Sequence, residues 1–140
     1  MTVRDYMTEG VETAGPDATV EAIAMRLEQA GVGSIIIEEE MEPVGIVTDR
    51  DLAIRVDARD RPASEVAVAD VMTADPVTVS ADADLFAAAR TMRDNAVRRL
   101  IVVNEEGKLV GIITFDDLMR LFVTGMADLT DVIDAESPTY

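Results

Sequence analysis

Apolar residues with the spacing of one helical face occur twice in this chain. The spacing i, i+3, i+4, i+7 places its members on one side of an α-helix. It is found at Val20, Ile23, Ala24 and Leu27 and again at Leu85, Ala88, Ala89 and Met92. We therefore expect one amphipathic helix in each half of the chain, over Thr19–Ala30 and Asp84–Asn95.

Each expected helix is followed by a run rich in Ile and Val, which is typical of a buried β-strand. These runs are Gly33–Glu38 and Arg99–Asn104. A short polar connection then leads to a second apolar run, Val44–Thr48 or Leu109–Thr114. Because such short connections favour antiparallel pairing, each half is predicted to contain a β-hairpin.

Further elements flank each hairpin. A short extended piece precedes the first helix, at Gly10–Ala14 and at Pro76–Val79, and a second helix starts near Asp49 or Asp116. The pattern of each half therefore predicts a β-α-β-β-α unit. After residues 123–125 we expect one more helical stretch to Ile133, followed by a polar tail.

The two halves also repeat in residue identity. Val3–Thr8 returns as Val68–Thr73 with an offset of 65 residues, and Val44–Leu52 returns as Val110–Leu118 with an offset of 66. The charged segment Asp57–Ala67, which contains a proline, indicates a linker. We divide the chain into a first repeat (residues 1–58), a linker (59–67), a second repeat (68–126) and a C-terminal helical extension and tail (127–140). Each repeat is small for an independent core, so we expect the two to pack together.

The composition narrows the possible functions. The net charge of −16 argues against nucleic acid or an anionic membrane as a partner. The chain has no His and no Cys, which removes the commonest general base and all thiolate sites, so we expect a protein that is not an enzyme. No apolar run approaches the roughly 20 residues that span a bilayer. No hydrophobic leader follows Met1, and we expect a cytoplasmic protein.

Two boxes frame each repeat, an Asp-x-Met-Thr box at its start and a Gly-Ile-Val/Ile-Thr-x-x-Asp-Leu box at its end. In this combination the chain resembles a pair of CBS (cystathionine β-synthase) domains over roughly Val3 to Val123. The resemblance implies an α/β (α+β) fold with two repeats about a pseudo-two-fold axis. It further implies clefts for adenosine-containing ligands such as AMP, ADP, ATP, S-adenosylmethionine or NAD. With no enzyme attached, the chain resembles a stand-alone CBS pair.

The closing boxes supply the candidate chemistry. Thr48 and Thr114 lie where a strand becomes a helix, and Asp51 and Asp117 follow in the first helical turn. A carboxylate can accept both hydroxyls of a ribose, and the resemblance assigns that role to the Asp and a phosphate contact to the Thr. The same residue types also cap helices without any ligand, so both interpretations stay open.

The two clefts differ in charge. The second repeat carries Arg98 and Arg99 before its strand where the first carries Gly33 and Ser34, and guanidinium groups bind phosphate well. We therefore expect the cleft of the second repeat to be the phosphate site. The expected ligand-binding residues are Thr13, Ser34, Gly45, Ile46, Thr48, Arg50, Asp51, Val77, Thr78, Arg98, Arg99, Gly111, Ile112, Thr114, Phe115 and Asp117.

The sequence thus favours a regulatory module that binds an adenine nucleotide, with or without Mg²⁺ on its phosphates, and signals to an unknown regulated protein. The alternative is a non-catalytic interaction protein with vestigial clefts. The helix from Asp116 is apolar on more than one face, which predicts a homodimer through the second helices of the repeats. In the competing interpretation, residues 129–133 fold back over that excess apolar surface.

The charge composition generates the first testable prediction. The cations comprise eleven Arg and one Lys against 28 carboxylates, a pattern typical of proteins that work in concentrated salt. Carboxylate repulsion is screened over about 8 Å at 0.15 M salt but over about 3 Å at 1 M. We expect the free energy of unfolding to rise steadily from 0.1 M to molar KCl in denaturant titrations. Equal stability at both ends would show that the acidity is not a salt adaptation.

Overall fold

The computed structural model describes residues 1–56 and 60–137. The start of the expected linker, residues 57–59, and the end of the expected tail, residues 138–140, lie outside the described residues. The mixed α/β architecture with two sheets is confirmed. No helix within the described ranges combines the length and apolarity needed to cross a bilayer.

The elements follow the predicted order, with ends shifted by a few residues. The first half contributes α1 (Val3–Tyr6), β1 (Thr13–Ala14), α2 (Val20–Ala30), β2 (Ser34–Glu39), β3 (Glu42–Thr48) and α3 (Asp49–Asp51), which continues as a π-helical turn (Leu52–Val56). Two 3₁₀ turns follow at Ala63–Glu65 and Val68–Asp70. The second half contributes β4 (Thr73–Ala74), β5 (Thr78–Ser80), α4 (Leu85–Asn95), β6 (Arg99–Val103), β7 (Leu109–Thr114) and α5 (Phe115–Glu136).

Each sheet is built around the hairpin of one repeat, β2–β3 or β6–β7. In both, the short first strand runs parallel to the strand that follows the helix, and the hairpin is antiparallel. The strand orders are β1-β2-β3-β4 and β5-β6-β7. The two sheets contact each other through a small apolar cluster that includes Ile36, Ile101 and Leu109. This contact joins the repeats into one body.

The opening box of each repeat packs on the sheet of the other repeat. Thr73 and Ala74 of the second box pair with Ile46 and Gly45 in β3 of the first repeat. In the reciprocal exchange, the backbone of Thr8 makes two hydrogen bonds to Ile112 in β7, of 2.9 and 3.0 Å. Continuous ranges for the two repeats do not describe this exchange, because residues 1–8 precede the first repeat's sheet in the chain but pack on the second repeat.

The exchange extends into the two cores. Val3, from the first opening box, is fully buried in the core of the second repeat. Val66, Val68 and Val71 are fully buried in the core of the first repeat. Val66 also accepts a hydrogen bond of 2.9 Å from the first backbone N–H of α2, at Val20. The end of the expected linker is therefore a structural part of the first repeat.

The C-terminal region corrects two expectations. The helix from Phe115 is continuous to Glu136, so no separate helical stretch follows residues 123–125. Fold-back of residues 129–133 is wrong, because Leu129 and Ile133 are 67% and 65% exposed. The distal half of α5 extends away from the core because helical hydrogen bonding continues through Gly125.

The exchange predicts unequal effects of alanine at two equivalent glycines. A Cβ on Gly111 would lie 2.7 Å from the carbonyl oxygen of Thr8, whereas a Cβ on Gly45 would meet only the side chain of Met72. A methionine side chain can move aside but the paired backbone of Thr8 cannot, so Gly111→Ala should cost about 1–3 kcal/mol of unfolding free energy and Gly45→Ala less. Urea titration of both variants measures the difference. Equal losses would contradict the close backbone approach at Gly111.

Candidate functional site

A cleft of about 300 Å³ lies where the two repeats meet. Both repeats line it, because the second opening box crosses to the first sheet. Its lining residues are Ile46, Thr48 and Asp51 from the first repeat and Thr73, Asp75, Pro76, Val77, Val97, Arg98, Arg99 and Ile101 from the second. The cleft is therefore a property of the packed pair of repeats.

Thr48 and Asp51 form a reciprocal cap at the start of α3. The Thr48 hydroxyl accepts from the Asp51 N–H at 3.1 Å, and the Asp51 Oδ2 atom accepts from the Thr48 N–H at 3.0 Å. The capping interpretation is therefore confirmed for these side chains. It leaves the second oxygen, Oδ1, outside the cap, at 3.9 Å from the Arg55 Nε atom. A carboxylate held in this way can still accept hydrogen bonds from a ligand.

Arg55 connects the cap to the exchanged box. Its Nη1 atom donates to the backbone carbonyl oxygens of Val71 and Met72, at 3.0 and 3.1 Å. These bonds fix the chain immediately before β4, which forms one wall of the cleft. The carboxylate of Asp51 and the exchanged segment are thus positioned by the same guanidinium group.

Arg98 and Arg99 contribute positive charge to the cleft that contains Thr48 and Asp51. The Arg99 Nη2 atom lies 3.6 Å from the position that a Cβ on Gly33 would occupy, so its side chain reaches the first repeat. The Arg98 guanidinium stacks on the Phe115 ring at 4.4 Å and pairs with Asp116 at 3.2 Å. This pair is well exposed to solvent and so is readily exchanged for another anion.

The sequence order suggested that the two arginines serve the cleft of Thr114 and Asp117, in their own repeat. Arg99 does pair with Thr114 across the second hairpin. Both arginines also line the cleft of the first repeat's cap, because the start of β6 lies at the junction of the repeats. A linear repeat alignment cannot show which closing box a side chain faces.

The equivalent cap in the second repeat has different surroundings. Thr114 and Asp117 make the same reciprocal bonds, at 3.2 and 2.9 Å. The repeat offset that relates the two boxes places Glu12 at the position of Val77, and Glu12 pairs with Arg26 at 2.6 Å. Gly33 and Ser34 stand in place of the two arginines. The first repeat thus carries less positive charge at the positions equivalent to Val77, Arg98 and Arg99. We call Thr114 and Asp117 the twin cap; Arg99 pairs with Thr114 across the hairpin, and Arg120 lies with Asp117 in a surface pocket.

The two box glycines do not provide space for a ligand. Gly45 and Gly111 are both buried. Met72 covers Gly45, and Met7 together with the Thr8 carbonyl covers Gly111. The absence of a Cβ at these positions admits the exchanged opening boxes, so the two expected ligand-binding glycines are in contact with protein.

The other expected residues divide between the cleft and its borders. Ile46 and Val77 line the cleft, whereas Thr13 and Thr78 lie in the short strands β1 and β5 beside it. Ser34 pairs with Thr48 across the first hairpin, and Ile112 pairs with Ile101 across the second. Arg50 is exposed and lies outside the cleft lining, and Phe115 supports Arg98.

Sequence reasoning missed Thr73, Asp75, Pro76 and Val97, which also line the cleft. Thr73 ends the second opening box, and Asp75 and Pro76 follow it. The crossing of this segment to the other repeat has no local signature. Within the part of the chain that the structure describes, no group of three or more acidic side chains is arranged to hold a metal ion.

Asp5 shows that related caps form away from the cleft. Its Oδ2 atom accepts from the Thr2 backbone N–H at 2.9 Å and from the Thr2 hydroxyl at 3.1 Å. These bonds, led by the backbone N–H, lower the pKa of the Asp5 carboxyl below its ordinary value. A Thr and an Asp three residues apart therefore do not by themselves indicate a ligand site.

Comparison with known proteins adds a family to this geometry. The family model for the CBS domain matches residues 3–57 and 68–124. An uncharacterized protein of Methanopyrus kandleri is 35% identical over 122 residues, which are 86% of this chain and 62% of that protein. The chain thus spans somewhat less than two thirds of this relative's length.

Two similar solved structures contain ligands. CBSX2 in complex with AMP is 30% identical, covers 88% of this chain and 96% of its own, and superposes with a TM-score of 0.74. The CBS domain pair of protein MJ0100, in complex with 5′-methylthioadenosine and S-adenosyl-L-methionine, is 25% identical with a TM-score of 0.78. It covers 89% of this chain and 98% of its own.

The caps predict a stability effect that needs no ligand. Replacing a capping Thr by Ala costs about 1 kcal/mol, whereas Ser keeps the accepting oxygen. We expect Thr48→Ala and Thr114→Ala each to lower the free energy of unfolding by about 0.5–2 kcal/mol, and the Ser variants to retain most of it. Denaturant titration of ligand-free protein measures all four. Equal losses for Ser and Ala would show that the hydroxyl is not the cap.

Proposed function

The chain belongs to the CBS domain family, and on that premise we propose that it is a regulatory module that binds an adenosine-containing nucleotide between its repeats. One observation carries the proposal. Thr48 and Asp51 of one repeat face Arg98 and Arg99 of the other across a cleft of about 300 Å³, at the lower end of the usual size for small-molecule sites. The structures with AMP and with S-adenosyl-L-methionine support adenosine derivatives as the ligand class.

The cleft offers a separate partner for each part of a nucleotide. The outer oxygen of Asp51 can accept the adjacent hydroxyls of a ribose. The guanidinium groups of Arg98 and Arg99 suit a phosphate, which they can bind through paired N–H groups. Ile46 and Val77 provide apolar surface for a base. Asp51 is already held in position by its cap, and Arg98 by Phe115 and Asp116.

The local charge is decisive for an anionic ligand. The chain as a whole carries −16, which repels a phosphate at long range. In molar salt that repulsion is screened within about 3 Å, so only groups in direct contact determine the binding energy. We expect Arg98 to exchange its exposed pairing with Asp116 for the ligand phosphate. Mg²⁺, if it binds, would enter with the phosphates of ADP or ATP.

The twin site is the weaker candidate for a nucleotide. Its carboxylate, Asp117, is capped in the same way. At the equivalent positions of the repeat, however, Gly33 and Ser34 stand in place of the two arginines. We propose that phosphate-bearing ligands prefer the cleft of Asp51, and that the twin site takes at most an adenosine derivative without phosphate.

The proposed output is a change in interactions with a partner protein. Helix α5 starts at the twin cap and next to Arg98, and it ends outside the core. A ligand that draws Arg98 away from Asp116 therefore acts on the first turn of α5. We propose that this shift is passed to a regulated protein without catalysis, because the chain contains no His or Cys to activate a nucleophile.

We also propose that the module works as a homodimer through the second helices of its repeats. Met119 on α5 is 44% exposed, and Ile54 on its counterpart, the π-helical turn after α3, is 57% exposed. Apolar exposure on equivalent helices favours a two-fold contact between copies. Phe122 stacks on Phe86 within one chain, with ring centroids 5.5 Å apart, so a charge placed there would disturb the fold itself.

Nucleotide binding predicts a thermal shift that depends on named side chains. AMP at 100 times its dissociation constant should stabilise the protein by about 2.7 kcal/mol. For a domain of this size that raises the melting temperature by several degrees. Asp51→Ala should remove the shift more completely than Asp117→Ala, because the arginines share the cleft of Asp51. The measurement is a melting curve in molar KCl with and without AMP.

A comparison of AMP with adenosine, which lacks the phosphate, tests the contribution of the arginines to binding. Arg99→Ser copies the residue at the equivalent position of the first repeat, and loss of a charged hydrogen bond of about 1.5–3 kcal/mol should weaken AMP binding about 10-fold or more. Adenosine, which has no phosphate, should bind the variant and the wild type equally. If no adenosine compound shifts the melting temperature, the interaction protein with vestigial clefts becomes the better interpretation.

A further inference from the structure

The closing helices of the two repeats differ in their second turn. In the second repeat, α5 continues as a regular α-helix from Phe115 past Arg120. In the first repeat, α3 ends at Asp51 and a π-helical turn follows over Leu52–Val56. A π-helical turn takes more residues than an α-helical turn, and such turns are rare but frequent at functional sites. The turn therefore marks a place where the first repeat departs from the second.

A one-residue difference in the sequence accounts for this turn. Leu52 matches Leu118 at the offset of 66 residues that relates the closing boxes, whereas Arg55 matches Arg120 at an offset of 65. The first repeat thus has one more residue between this leucine and this arginine. A π-helical turn accommodates the additional residue, because its hydrogen bonds span five residues where those of an α-helix span four.

The two matched arginines differ in what they contact. The Arg55 Nη1 atom donates to the backbone carbonyl oxygens of Val71 and Met72, at 3.0 and 3.1 Å, in the opening box that crosses from the second repeat. Arg120 is exposed, and within residues 1–56 and 60–137 it makes no hydrogen bond to the other opening box. The additional residue therefore accompanies a bridge that is formed in one repeat and not in its twin.

This bridge joins the two walls of the cleft that contains Asp51. Val71 is fully buried in the core of the first repeat, and Thr73, directly after the two bonded residues, lines the cleft. The Arg55 Nε atom lies 3.9 Å from Oδ1 of Asp51, on the facing wall. A guanidinium group is planar and holds its five N–H donors in a fixed geometry, so it sets the spacing of the groups that it joins. Arg55 itself does not line the cleft and acts through these neighbours.

We propose that Arg55 is a positioning residue for the nucleotide, which keeps the exchanged segment seated so that the cleft is formed before a ligand enters. The inference rests on the proposed function and adds a residue outside the cleft to it. When only a fraction of the molecules has the segment seated, the apparent dissociation constant rises by the inverse of that fraction. By reciprocity, a bound nucleotide stabilises the bridge.

Arg55→Ala, measured with two ligands, tests this role. Loss of the bridge should weaken AMP and adenosine by the same factor, about 5-fold if the segment stays seated in about one molecule in five. Positioning does not depend on the phosphate, whereas loss of a nearby positive charge would weaken AMP alone. Isothermal titration calorimetry in molar KCl, at a temperature where each protein is fully folded, measures both dissociation constants. Arg55→Lys, which keeps the charge but not the planar fork, is a milder variant with the same expected direction.

Thr19→Ala is the matched control for a general loss of stability. The Thr19 hydroxyl caps α2 by accepting from the Ala22 N–H at 3.1 Å, and Thr19 does not line the cleft. Both Thr19→Ala and Arg55→Ala should lower the melting temperature, since each removes a hydrogen bond to the backbone. Thr19→Ala should leave both dissociation constants unchanged.

The outcomes separate positioning from the other roles of Arg55. Equal weakening of AMP and adenosine in the Arg55 variants, and not in Thr19→Ala, supports the proposal. Weaker binding of AMP alone, unchanged affinities with a lower melting temperature, or an equal loss in Thr19→Ala each overturns it and leaves the nucleotide function in place. Wild-type protein that binds neither compound overturns the proposed function and the role of Arg55 with it.

Discussion

The reciprocal exchange of opening boxes is the contact on which the rest of the structure depends. Met72 packs over Gly45, and the backbone of Thr8 packs over Gly111, so each sheet is completed by residues from the other repeat. Neither repeat has a complete core without the other, because Val3 and Val68 are each buried in the opposite half. The cleft lies at this junction. The position of the cleft walls therefore depends on this exchange.

Within the cleft, the same atoms serve structure and proposed function. Thr48 and Asp51 satisfy backbone N–H groups at the start of α3, and this fixes the carboxylate without using all of its lone pairs. Capping and ligand binding are therefore compatible roles. The proposed difference between the two sites rests on the two arginines that line the cleft of Asp51, because the equivalent positions of the first repeat are Gly33 and Ser34.

Helix α5 joins the two proposed activities physically. Its first turn contains the twin cap and the Asp116 partner of Arg98, and its last turns carry the exposed apolar residues Leu129, Val132 and Ile133. A rigid helix transmits a displacement at one end to the other with little loss.

The sequence by itself determined the elements and the repeat, because helical and strand periodicities are local and both copies show them. The expected hairpins and helices, the caps at Thr48 and Thr114, and the family all follow from short-range pattern. Only the tertiary structure decided which residues face one another across the repeats. In the folded chain Arg99 lines the cleft of Asp51, and the Met72 side chain fills the space above Gly45. It also carried α5 straight to Glu136. Contacts between segments some 65 residues apart in the chain depend on how the two sheets pack, and no local pattern encodes that packing.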